Sequence, residues 1–212
     1  DFDLTGINRV TIVACGTSYY AGMVARYWFE QFARLPVDID FASEFRYREI
    51  PLASTDLALF ISQSGETADT LASLRYCKNL GMPIGAVVNV RESTIAREAD
   101  VVFPTLAGPE IGVASTKAFT CQLSVLACLA LNAARARGKI SAEEEREQVK
   151  HLAEAPRYAT QALKLSKQIE KVAHKLSKVN HALYLGRDVS YPLAMEGALK
   201  LKEISYIHAE GY

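Results

Sequence analysis

Leu57-Ala58-Leu59-Phe60-Ile61-Ser62-Gln63-Ser64-Gly65-Glu66-Thr67 begins as an unbroken apolar run and passes, through hydroxyl residues and one glycine, into a helical pattern carried by Ala68, Leu71, Leu74 and Arg75. An apolar run without alternation reads as a strand covered on both faces, the kind found in parallel sheets. The helix that follows starts with N–H groups that have no partner inside it and with the positive end of its dipole. Hydroxyls from Ser62, Ser64 and Thr67 surround that point, and Gly65 lets the backbone come close, so an anion can be held there. No Lys or Arg lies in the loop, which leaves hydrogen bonds and the dipole to balance the charge. We read the loop as a phosphate cradle. The competing reading is a plain helix cap at Ser64 with Thr67 at the third helical position, since serine and threonine are preferred caps.

The same order of strand, small residues, hydroxyls and helix start recurs at Cys15-Gly16-Thr17-Ser18 after the apolar run Val10–Cys15. A third hydroxyl-bearing helix start is Gly112-Val113-Ala114-Ser115-Thr116-Lys117. Three such loops at one sheet edge suit a small polyhydroxylated phosphate ester better than coincident caps. Gly16 stands outside any G-x-G-x-x-G pattern, and G-x-x-x-x-G-K-[ST] is absent, which argues against dinucleotide and nucleoside triphosphate loops. Ser62 and Ser64 lack the G-x-S-x-G elbow of a serine hydrolase. None of the chain's four histidines falls in a loop after the early strands.

Apolar runs at Val10–Cys15, Val37–Phe41, Leu57–Ile61, Ile84–Val90 and Val101–Thr105 alternate with other elements. Helical patterns lie at about Ser18–Ala33, at Thr67–Leu80, at Ser93–Glu98 and at Ser115–Arg137, with a short turn at Ser43–Tyr47. The alternation predicts a doubly wound, three-layer α/β/α domain on a parallel sheet of roughly five strands, with ligands bound beyond the carboxyl ends of the strands. After Gly138 the charged segment Ser141–Ala153 and the amphipathic segment Pro156–Lys178 read as connecting helices. Ala182–Gly186 resumes the strand-and-turn pattern, and Tyr191–Tyr206 reads as a helix. The expected divisions are residues 1–140, 141–180 and 181–212, the last being the cut-short start of a second α/β unit. Asp1 and Tyr212 suggest a piece of a longer protein.

With 212 residues, half of them apolar, the chain can bury a full core. Lys+Arg and Asp+Glu balance at 24 each, which gives no electrostatic footprint for nucleic acid or an anionic membrane. The apolar segment Ala118–Ala134 is broken by Thr120, Gln122, Ser124 and Asn132, so a core helix is expected there and not a membrane span. Cys15, Cys77, Cys121 and Cys128 show no C-x-x-C spacing and read as reduced residues of a cytoplasmic protein. Neither a metal nor a cofactor is expected.

Glu196, Lys200 and Glu203 fall at i, i+4 and i+7, on one helix face. A carboxylate beside an ammonium suits proton shuttling next to a carbonyl, and an ordinary salt-bridged surface has the same spacing. Spacing alone leaves both readings open.

Taken with Ala42–Arg48, Glu110–Phe119 and Glu196–Glu210, these loops resemble the glucosamine-6-phosphate synthase family, the isomerising glutamine–fructose-6-phosphate aminotransferases. The resemblance covers essentially the whole chain and places it at the first sugar-isomerase (SIS) subdomain, of flavodoxin-like fold, plus the start of the second. It implies that Ser62, Gln63, Ser64 and Thr67, with Ser18 beside them, bind the phosphate. Thr17, Val113 and Ser115 would contact the sugar. Glu203 would move the proton between C1 and C2, and Lys200 would assist at the C1 hydroxyl. The family's ring-opening histidine and Schiff-base lysine would lie beyond Tyr212, and His208 matches neither. The resemblance further implies a glutaminase domain in the full-length chain, a homodimer, and a piece that binds sugar phosphate without turning it over. A sugar-phosphate deaminase or isomerase without a glutaminase domain, and a sugar-phosphate-sensing regulatory module, are the alternatives. Asp188 departs from the pattern, which has a glycine after Gly186-Arg187.

Overall fold

The computed structural model describes residues 3–212. The chain divides into one unit ending at Ile140 and a second spanning Ser141–Tyr212.

The first unit is built on a parallel sheet of β1 (Val10–Ala14), β2 (Val37–Phe41), β3 (Leu57–Ser62), β4 (Ile84–Val88) and β5 (Val101–Pro104). The strand order is β2-β1-β3-β4-β5. The three central strands are buried along their whole length, as their unbroken apolar sequences require. The alternating sequence of β2, Val-Asp-Ile-Asp-Phe, puts it at an edge. There Asp38 is held by Arg9 at 2.6 Å and Asp40 by Arg48, and such charges discourage further strands from adding.

Successive side chains on each strand face opposite layers. Val10, Ile12 and Ala14 of β1 and Leu57, Leu59 and Ile61 of β3 pack under helices α1 (Gly16–Trp28) and α5 (Lys117–Ala136). Val13, Ala58 and Phe60 pack on the other face, under α2 (Ala42–Phe45), α3 (Ala68–Asn79) and α4 (Thr94–Glu98). This is the expected three-layer doubly wound domain. Helix α5 is long and apolar enough to cross a membrane by length and composition. In this fold its apolar residues Phe119, Leu126 and Ala130 are buried in the core beneath it.

The order β2-β1-β3 creates a switch point between β1 and β3. The helices that follow these two neighbouring strands leave to opposite faces of the sheet, so a crevice opens between their starts. Two of the three loops singled out above border it.

In the second unit α6 (Ala142–Ala153) begins with a full capping box between Ser141 and Glu144. The segment read as one amphipathic stretch forms two helices, α7 (Ala155–Leu163) and α8 (Ser166–Leu176), in which no residue is buried. Strand β6 (His181–Tyr184) pairs in parallel with β7 (His208–Gly211), and α9 (Ser190–Ser205) connects them. Strand β7 has no apolar run, which is why the sequence pattern does not reveal it. Leu183 is 68% exposed and Leu193 44%, and Leu199 is half-buried.

Asp188 adopts φ 57° two residues before α9 begins. This is the left-handed conformation that glycine takes freely and aspartate tolerates better than most residues, so the departure at this position leaves the turn intact.

Candidate functional site

A single residue, Cys15, separates β1 from α1, and five residues separate β3 from α3. Neither helix has a side-chain cap: the capping positions are Cys15 and Thr67, and neither side chain bonds the first turn. Ser64 is not a helix cap either, because its Oγ accepts the N–H of Glu66 inside the loop at 3.2 Å. Two helix N-termini therefore converge on the crevice without a side-chain cap, and Asp69 in the first turn of α3 is paired with Arg46 at 2.7 Å.

Between them lies a cavity of about 220 Å³. It is lined by Thr17 and Ser18 from the start of α1, by Ser62, Gln63, Ser64 and Thr67 from the β3–α3 loop, and by Ser115. Of the residues expected to hold a sugar phosphate, only Val113 of the first unit is not brought there; its side chain is 96% exposed. The volume is below the roughly 300–1,000 Å³ of pockets that enclose whole ligands, and suits a phosphoryl head group. No Lys or Arg lines it. A dianion there would be met by hydroxyls, backbone N–H groups and two dipoles, each dipole contributing about 0.3–1 kcal/mol and up to about 2 when partly buried.

The loop is held in shape by its own hydroxyls and by groups that the sequence pattern does not single out. Ser62 Oγ accepts the Gly65 N–H at 3.0 Å and lies 3.3 Å from Thr67 Oγ1. Gly65 has φ 67°, and a Cβ there would sit 2.0 Å from Ser93 Oγ. Its carbonyl accepts the Ile95 N–H at 3.0 Å, and Glu66 Oε1 accepts the Thr94 N–H at 2.7 Å. That backbone bond holds the Glu66 carboxyl below the usual carboxylate range. The loop is thus tied to the first turn of α4. Asn89 accepts from Thr105 Oγ1 at 3.1 Å and from the Ala107 N–H at 2.8 Å, and donates to the Gly108 carbonyl at 2.7 Å. It thereby anchors the segment that leads toward Ser115. Glu110 Oε2 accepts the Ala118 N–H at the start of α5 at 3.2 Å.

Two buried polar residues were also missed. Thr70 lines the cavity one turn beyond Thr67 and continues its series of hydroxyls. Gln122, 1% exposed on α5, donates from Nε2 to Ser18 Oγ at 2.9 Å. A lone amide on the otherwise apolar buried face of α5 is the signal that could have found it.

In the second unit α9 carries the charged trio. Lys200 Nζ lies 2.6 Å from Glu203 Oε2 and 3.6 Å from Glu196 Oε1. Glu196 is buried and Glu203 is partly exposed. An ammonium between a buried and an accessible carboxylate sets a proton donor beside a proton acceptor, which suits proton movement at a neighbouring carbonyl. His181 and His208 face each other across β6 and β7, with Nδ1 atoms 3.4 Å apart. Among the described residues no group of three or more His, Cys, Asp or Glu is placed to hold a metal ion.

A doubly wound parallel sheet with a hydroxyl-lined crevice at its switch point is the arrangement of a SIS domain. The SIS domain family matches residues 3–132, and the chain belongs to that family. Its curated relatives include the isomerising glutamine–fructose-6-phosphate aminotransferase of Mesorhizobium japonicum, 72% identical over 211 residues, covering 100% of this chain and 35% of the relative. The enzyme of the same name from Brucella abortus is 71% identical, over 99% of this chain and 35% of its own length. The chain thus spans about a third of these relatives. Among solved structures, the C-terminal domain of glucosamine-fructose-6-phosphate aminotransferase from Francisella tularensis superposes with a TM-score of 0.97 at 46% identity, covering 99% of this chain and 59% of that one. Glucosamine-6-phosphate deaminase from Thermotoga maritima superposes with a TM-score of 0.78 at 26% identity, covering 97% and 60%.

Proposed function

We propose that the chain is the sugar-phosphate-holding part of the isomerase half of an enzyme that makes glucosamine 6-phosphate and glutamate from fructose 6-phosphate and glutamine. The observation that carries this reading is the cavity between the starts of α1 and α3, where Thr17, Ser18, Ser62, Ser64 and Thr67 meet with no cation among the lining residues. It suits the phosphate end of a sugar phosphate. Gln63 and Ser115 border the same space, and Val113 lies on the segment that leads to it.

In the same reading Glu203 takes a proton from C1 of the sugar and returns it at C2, which converts the ketose skeleton to an aldose. Lys200, 2.6 Å from that carboxylate, assists at the C1 hydroxyl. The full-length protein would carry a glutaminase domain, act as a cytoplasmic homodimer and need no added cofactor. A second reading, a sugar-phosphate deaminase without a glutaminase domain, draws on the likeness to the Thermotoga maritima enzyme.

Calorimetric titration of the chain with glucose 6-phosphate, glucosamine 6-phosphate and glucose tests the phosphate site. The expected result is binding of the two phosphates only, weakened about tenfold by Ser64→Ala and by Thr67→Ala, the loss of one hydrogen bond to a charged group. Equal binding of glucose, or no effect of either substitution, overturns the site. Glutamine-dependent formation of glucosamine 6-phosphate by the full-length protein separates the synthase from the deaminase.

A further inference from the structure

A cavity that holds a dianion without a cation depends on which way its hydroxyl protons point. A serine can donate one proton and accept at two lone pairs, so an N–H given to its oxygen leaves the proton free to turn toward the ligand. Ser62 Oγ receives the Gly65 N–H at 3.0 Å and Ser64 Oγ the Glu66 N–H at 3.2 Å. Both donors are backbone groups that come with the loop itself.

Ser18 differs. It sits in the first turn of α1, 8% exposed, and its oxygen is reached by no backbone donor of the β3–α3 loop. The donor that reaches it is a side chain from α5, 104 residues away: Gln122 Nε2, at 2.9 Å. The Gln122 side chain is 1% exposed, and its Oε1 is a buried acceptor with no hydrogen-bond partner among the described residues. A buried amide with half of its bonding unmet is an unfavourable way to fill a core position when leucine or methionine has the same size. Its one hydrogen bond goes to a wall of the cavity.

We propose that Gln122 is a positioning residue of the anion site, whose buried amide donates to Ser18 Oγ and so commits the Ser18 proton to the bound phosphoryl group. The inference rests on the phosphate reading of the cavity and extends it to a residue that never touches the ligand. Gln122 thereby does for Ser18 what the loop backbone does for Ser62 and Ser64.

The test is a double-mutant cycle read by calorimetric titration with glucose 6-phosphate, using the chain itself, Gln122→Met, Ser18→Ala and the double variant. Gln122→Leu is made alongside, so that poor folding of one apolar replacement leaves the other; circular dichroism and thermal unfolding report on both. Gln122→Met is expected to weaken binding about five- to tenfold, part of the worth of the Ser18 hydrogen bond to a charged group. In the Ser18→Ala background the same change is expected to have no further effect, because the hydroxyl it orients is gone. Unchanged affinity in the folded single variants overturns the proposal, as does an equal loss with and without Ser18, which marks a general packing defect. Failure of the unsubstituted chain to bind glucose 6-phosphate overturns the phosphate reading itself.

Discussion

At the scale of single residues the site is governed by Gly65. Its left-handed φ and the 2.0 Å approach of a would-be Cβ to Ser93 Oγ leave no room for a side chain. Gly65→Ala is expected to destabilise the chain by about 1–3 kcal/mol in urea unfolding and to weaken glucose 6-phosphate binding at least about tenfold. Retention of full affinity in the folded variant shows that the loop tolerates a shift. Cys77 makes a prediction about pH. Burial pushes its thiol up from 9.0 to about 12, so the folded chain keeps it neutral where the unfolded chain ionises it. The stability it contributes is complete below about pH 9 and is lost as the pH climbs toward 12. The difference in urea stability between the chain and Cys77→Ala is therefore expected to narrow from about pH 8 to about pH 11. A constant difference would mean that the thiol ionises in place. The same burial makes Cys77 slow to alkylate at about pH 8, while the exposed Cys128 reacts readily.

At the scale of elements, the turn before α9 carries its own forecast. Asp188 holds φ 57° where glycine has no steric penalty, so Asp188→Gly is expected to stabilise the second unit by about 0.5–1 kcal/mol, read as a higher urea midpoint. A lower midpoint would show that the aspartate side chain does more than tolerate the turn. The strands and helices of the first unit were legible because burial on both faces writes itself as unbroken apolar runs, such as Leu57–Ile61, and hydroxyls mark helix starts. Boundaries moved where backbone conformation, not hydrophobicity, sets them: Gly16 and Thr17 already belong to α1, and its far end becomes a π-helical turn at Phe29–Ala33. Strand β7 was hidden because His208-Ala209-Glu210-Gly211 pairs by backbone hydrogen bonds and buries only Ala209 fully. At the site, the hydroxyls announced themselves, whereas Asn89, Glu66 and Gln122 act through bonds to residues distant in sequence, which periodicity does not encode.

The molecule as a whole carries no formal net charge, and no cation is among the residues that line the proposed phosphate cavity. Long-range steering and exposed ion pairs are the interactions most sensitive to added salt, and the proposed phosphate site offers neither. Affinity for glucose 6-phosphate is expected to change by less than about threefold between about 0.05 and 0.5 M sodium chloride. A fall of tenfold or more would reveal a basic side chain reaching the ligand in solution.

The bond from Gln122 to Ser18 joins parts of the chain separated by 104 residues. During synthesis the β1–α1 turn leaves the ribosome first and the β3–α3 loop later. The third contributor, α5, arrives only when the rest of the first unit is already made. On the ribosome the bond to Ser18 therefore cannot form until the last helix of the first unit has been made, and a nascent chain that ends before α5 lacks it.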